Sequence, residues 1–166
     1  ASLLDARASY RPIPSVRLAA GRYKTPFSYE ALTSAANTDF ISRARIVQAV
    51  APIRQTGTSI DVGTDTGPVA VRAGVFNAAE RTADGDSGGH LLIVGRVVGR
   101  TPEAASGASS GIRLTAGANV AYTPSDDVGS GTATAGPYPS TLRYGGDVRL
   151  RTGPVLLAAE VLRSET

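Results

Sequence analysis

Polar and apolar residues alternate along most of this chain, and clusters of Gly, Pro, Asp and Ser break the rhythm at intervals. Successive side chains of a strand point to opposite faces, so alternation bounded by turn formers predicts antiparallel β-structure. Residues 2–11 set Leu4, Ala6, Ala8 and Tyr10 against Asp5, Arg7 and Ser9. Residues 15–24 form the return strand after Arg11-Pro12-Ile13-Pro14. Further strands are predicted at 42–51, 55–63, 69–77, 89–100, 111–123, 141–151 and 154–163. In 111–123, Ile112, Leu114, Ala116, Ala118, Val120 and Tyr122 oppose Arg113, Thr115, Gly117 and Asn119. In 141–151, Tyr144, Val148 and Leu150 oppose Arg143, Asp147, Arg149 and Arg151. The stretch from Thr25 to Ile41 is too polar and irregular for a strand, and no helix longer than a turn or two is predicted.

The expected fold is all-β: an antiparallel up-and-down meander of about nine strands, forming a transmembrane β-barrel or a large part of one. Connections at 12–15, 52–54, 64–68 and 152–154 are short, and those at 25–41, 78–88, 101–110 and 124–140 are long. Tight turns at one end and long loops at the other are the layout of transmembrane barrels. Alternation alone does not separate that layout from a soluble sandwich, whose apolar face would meet a core instead of lipid. Tyr10 and Tyr122 lie near strand ends, where an aromatic girdle sits. The absence of Trp and the scarcity of aromatic residues count the other way.

At 166 residues the chain suits a single domain. It contains no cysteine, which excludes disulfides and thiolate metal sites, and no metal or cofactor is expected. No run of about 18 apolar residues is present, so no membrane-spanning helix is expected. The net charge is +3, and Lys24 is the one lysine among 17 basic residues. The arginines are spread along the chain and aromatic residues for stacking on bases are few, which argues against nucleic acid as a partner.

Residues 84–90 read DGDSGGH, and GDSGG looks like the nucleophile loop of trypsin-like serine proteases. A serine becomes a nucleophile only with a base to take its proton and a group to orient that base. The single histidine, His90, follows Ser87 by three residues, and none lies upstream. Gly, Asp and Ser are turn formers, so the stretch reads as a polar loop between strands and no catalytic residue is expected.

The segment Gly21-Arg22-Tyr23-Lys24-Thr25-Pro26-Phe27-Ser28-Tyr29-Glu30, continuing through Leu32-Thr33-Ser34 to Phe40-Ile41-Ser42-Arg43, resembles the phosphate-selective porin O and P family. Val50-Ala51-Pro52-Ile53-Arg54-Gln55-Thr56-Gly57 is similar to that family's A-P-x-R-x-x-G turn. Gly74-Val75-Phe76-Asn77 resembles its G-x-F-N strand end, and Ala158-Ala159-Glu160-Val161-Leu162 a strand near the end of its barrel. The resemblance implies an outer-membrane porin of a Gram-negative cell, a barrel for passive diffusion of small anions such as phosphate. Its implied partners are outer-membrane lipid, small anions and two further copies in a homotrimer, or other membrane proteins. It also implies that Thr25 to Ile41 folds inward as a constriction, with Lys24, Glu30 and Asp39 near the narrowest point. Set against the family's length, 166 residues suggest a domain incomplete at both ends. Ala31-Leu32-Thr33-Ser34-Ala35-Ala36 carries no lysine where phosphate-binding members have them. The alternative is a structural component of an outer-membrane assembly, built from a porin-derived sheet without transport.

Charge bears on the choice. The predicted strands hold Arg7, Arg17, Arg43, Arg45, Arg72, Arg96, Arg100, Arg113, Arg143, Arg149 and Arg151 against Asp5, Asp61, Asp147 and Glu160. Residues two apart share a face, so Arg43 with Arg45, and Arg143 with Arg149, would share polar faces. Arg43, Arg45, Arg113, Arg143 and Arg149 are the candidates for lining an anion path, because rings of Arg favour anions.

Overall fold

Strand pairing converts the alternation into two continuous faces. The computed structural model describes residues 5–33, 44–52, 54–64, 66–79, 89–101, 112–125 and 139–166. Its strands are β1 Ala6–Ile13, β2 Val16–Lys24, β3 Arg54–Gly63, β4 Val69–Ala79, β5 Gly89–Arg100, β6 Ile112–Thr123, β7 Thr141–Thr152 and β8 Val155–Glu165. They form one sheet in sequence order, each antiparallel to the next. The all-β meander is therefore as expected, with eight described strands.

The strand expected at 42–51 does not form. Arg45–Val50 is instead a helix, α2, and β2 pairs directly with β3. The reason is visible in the residues. Val47, Val50 and Ala51 recur at helical spacing and pack on a hydrophobic core, and this overrides a short alternation that fits either period. Removing that strand also corrects the ends of the meander. The connections 14–15, 64–68, 101–111 and 153–154 now lie at one end, and 25–53, 80–88 and 124–140 at the other. The 101–110 connection thus belongs to the end with the tight turns.

One face of the sheet is apolar almost throughout. Leu18, Ile60, Val71, Val75, Ile93, Val97, Val120, Val148 and Val161 lie on it and are all exposed. The opposite face carries most of the charges, while Arg22, Arg163 and Glu165 lie on the apolar side near strand ends. That charged face is concave. Tyr29 follows the end of β2 by five residues, a reach of about 17 Å, yet its main-chain N–H donates to Glu160 on β8. β8 lies six strand spacings from β2, about 29 Å in a flat sheet, so the sheet must curl around this segment.

The curl holds a small core. Phe27, Ala31, Val47 and Ala51 of the inward segment pack on Tyr23, Phe76, Leu92, Val94, Ala121 and Leu162 of the concave face. These apolar wall residues lie toward the long-loop end, and most of the charged ones toward the turn end, Arg143 excepted. Glycine makes part of the fit. A Cβ at Gly57 would come within 2.6 Å of the Phe76 ring, so the ring lies over bare backbone. The segment begins a short helix, α1 (Tyr29–Leu32), capped by Ser28, whose Oγ accepts from the Ala31 N–H at 3.1 Å. Ser28→Ala is expected to cost about 1 kcal/mol of local stability, seen as roughly fivefold faster hydrogen exchange at the Ala31 amide. Unchanged exchange would mean that docking alone holds the turn.

Candidate functional site

Register sets a row of polar residues across the concave face. Arg17 pairs with Asp61, Asp61 with Arg72, Arg72 with Arg96, and Arg96 with Asn119, on five adjacent strands. Asp61 Oδ2 accepts from Arg17 Nε at 2.9 Å and Nη2 at 2.5 Å. The same oxygen lies 3.7 Å from Arg7 Nη2 and 3.9 Å from Arg72 Nε. One carboxylate thus faces three guanidiniums, and the cluster remains positive.

A second pair is fully enclosed. Arg96 Nη2 donates to Asp147 Oδ2 at 2.5 Å, and the two side chains are 3% and 1% exposed. They sit on β5 and β7 and meet across β6. The crossing point is Gly117, where a Cβ would lie 2.6 Å from both atoms of the bond. Arg96 Nη1, Asn119 Nδ2 and Oδ1, Asp147 Oδ1 and Arg149 Nε are buried beside this bond with no protein partner.

Two cavities flank the inward segment on the concave side. One of about 220 Å³ is lined by Tyr29, Leu32, Thr33, Ala70, Arg72, Arg96, Val98, Arg100 and Arg149. Four arginines converge there, and no carboxylate lines it among the described residues, but Arg96 is bonded to Asp147 and Arg72 Nε lies 3.9 Å from Asp61 Oδ2. The other, about 290 Å³, includes Asp5, Arg7, Arg17, Lys24, Asp61 and Arg72 in its wall. Arg72 and Leu32 line both, so the two cavities meet at the segment.

The sequence candidates are distributed unevenly. Arg149 lines the first cavity, its guanidinium carbon 3.8 Å from the Tyr29 ring centroid. Arg113 and Arg143 lie on the concave face but do not join it. Arg113 sits toward the turn end opposite Arg151. Arg143 is six residues along β7 from Arg149, a separation of about 20 Å. Arg45 is not on a strand at all. It opens α2 and is exposed, because the chain there docks on the core as a helix instead of pairing. Arg43, Asp39 and Ser87 lie outside the described residues. Lys24 Nζ donates to the Leu32 and Thr33 carbonyls at 3.2 and 2.8 Å, and Glu30 Oε1 accepts from the Ala44 N–H at 2.6 Å. Both therefore brace the inward segment. The convergence of Arg72, Arg96 and Arg100 was not singled out from sequence. Their shared parity was visible, but only register makes them neighbours. Among the described residues no cluster of metal-ligating side chains occurs.

A curled antiparallel meander with an aliphatic convex face and a charged concave one has the layout of a membrane β-barrel wall. The comparison with protein families agrees with that class. The family model of phosphate-selective porin O and P matches residues 1–165, and the chain belongs to that family. No curated protein and no solved structure matches the chain. Members of the family are outer-membrane proteins of Gram-negative bacteria, and the match over residues 1–165 bears out the resemblance seen between Gly21 and Arg43 and in the later motifs.

Proposed function

We propose that this protein forms wall and constriction of an outer-membrane porin through which small anions, phosphate among them, diffuse passively. No catalysis is involved, and the barrel sits in lipid as a homotrimer. The observation that carries the reading is the cavity where Arg72, Arg100 and Arg149 converge, with Arg96 at its wall already paired to Asp147. An anion entering it exchanges part of its hydration for guanidinium donors, which suit phosphate and carboxylate oxygens. Arg113 and Arg151 continue the positive wall toward the turn end, and Arg143 toward the loop end. Lys24 and Glu30 belong to the constriction through their hold on the inward segment.

The test is reversal potential in a planar bilayer under a salt gradient. Anion preference is expected at low salt, fading as ionic strength rises, because exposed charges are screened beyond about 10 Å at 0.1 M. A charge about 10 Å from the ion in water is worth about 0.4 kcal/mol, a factor of about two. Each charge favours the anion and disfavours the cation by that factor, so replacing Arg72 and Arg100 together by Ala should lower the anion-to-cation permeability ratio about sixteenfold at low salt. Cation preference in the unaltered protein would refute the proposal.

A further inference from the structure

The inward segment is anchored at a point far from where it starts. At its own strand, Lys24 Nζ donates to the carbonyls of Leu32 and Thr33. Across the concavity, both oxygens of Glu160 on β8 face it. The Tyr29 N–H donates to Glu160 Oε1 at 3.0 Å, and the Glu30 N–H to Oε2 at 3.2 Å. A carboxylate that accepts two successive main-chain N–H groups makes charge-assisted, bidentate contact, which is stronger and more directional than a neutral bond. Arg149 stacks on the Tyr29 ring just beside it. Without Glu160, the segment would keep its tie to β2 and its apolar packing, but the two N–H groups at the start of α1 would face the far wall without an acceptor.

We infer that Glu160 is the positioning residue that clasps the inward segment to the far wall and thereby sets the bore left beside it. The inference rests on reading the concave face as an ion path. The clasp explains why a polar residue occupies this place on β8. Its neighbours of the same parity, Ala158 and Leu162, are apolar. It also assigns the two arms of the fastening to different residues, Lys24 at the near wall and Glu160 at the far one.

These 166 residues contain no cysteine, so within them one engineered thiol reports without background. Ala31 is 3% exposed within the segment, and Ala31→Cys adds a single sulfur there. In the reconstituted native protein this thiol should resist a methanethiosulfonate reagent. Adding Glu160→Ala should speed its modification at least about tenfold, because it removes two hydrogen bonds to a charged group and either one is worth about that factor. The same variant should raise single-channel conductance and open-channel noise while the β-sheet circular dichroism stays unchanged. Glu160→Gln keeps the shape and one acceptor oxygen, so both readouts should fall between the two. It also carries the test if Glu160→Ala fails to fold. Equal thiol protection with and without Glu160 would overturn the clasp. Faster modification with unchanged conductance would overturn its control of the bore. If the unaltered protein passes no ions at all, the path reading fails, and thiol protection still decides the clasp.

Discussion

Replacing Asp147 by Ala is expected to destabilise the folded protein by about 3–5 kcal/mol, the cost of leaving a buried guanidinium without its counter-charge. The Arg96 side chain is 3% exposed, and its bond to Asp147 Oδ2 closes over Gly117. Removing the carboxylate leaves a cation enclosed between β5 and β7 with water largely excluded. The pair is not worth that much as a pair. Arg96 Nη1 and Asp147 Oδ1 already lack protein partners, so the desolvation cost is only partly offset. The double variant Arg96→Met with Asp147→Leu should accordingly be near neutral or more stable than the parent. Urea unfolding of the three forms in one detergent separates these outcomes. A loss below about 1 kcal/mol for Asp147→Ala would mean that water reaches the pair freely. The pair's role would then lie in the charge of the cavity it borders, not in holding three strands together.

Arginine at Ala159 should cost about 2–4 kcal/mol, while arginine at Ala158 should cost less than about 1 kcal/mol. The two alanines are neighbours near the middle of β8, and both are exposed. Ala159 pairs with Val148 on the convex face, and Ala158 with Arg149 on the concave one. If the convex face meets hydrocarbon, a guanidinium at its midplane must be dragged from water. At Ala158 the same group joins a wet, charged wall and meets only screened repulsion from Arg149. Folding free energies into lipid vesicles, measured for both variants, decide the matter. Equal costs at the two sites would place water on both faces and remove the membrane reading of the convex side.

Alternation alone made the two faces of this protein legible. The sets Arg113-Thr115-Gly117-Asn119 and Ile112-Leu114-Ala116-Ala118 fall on opposite sides, as do Arg143-Asp147-Arg149 and Tyr144-Val148-Leu150. Side-chain parity along a strand is a local property of the backbone, so no partner is needed to read it. The Pro and Gly clusters placed the turns at 12–15, 64–68 and 152–154 for the same reason, though not the one expected around Pro52, and the porin family could be recognised from the segment between Gly21 and Arg43.

What tertiary structure decided is who stands beside whom. At 42–51 six residues fitted two periods equally, and packing of Val47 on the wall chose the helix, taking Arg45 off the strand face with it. Phe76, Leu92 and Leu162 share the parity of the charged residues, and only the docked segment explains apolar side chains there. Arg72, Arg96 and Arg100 become one cavity wall through register and curl, and Asp147 reaches Arg96 only because a glycine stands between them. Glu160 meets Tyr29 across 131 positions of sequence. Each of these depends on distances between strands that a one-dimensional pattern does not carry. A period of two assigns a side chain to a face, but curvature and register assign it a neighbour.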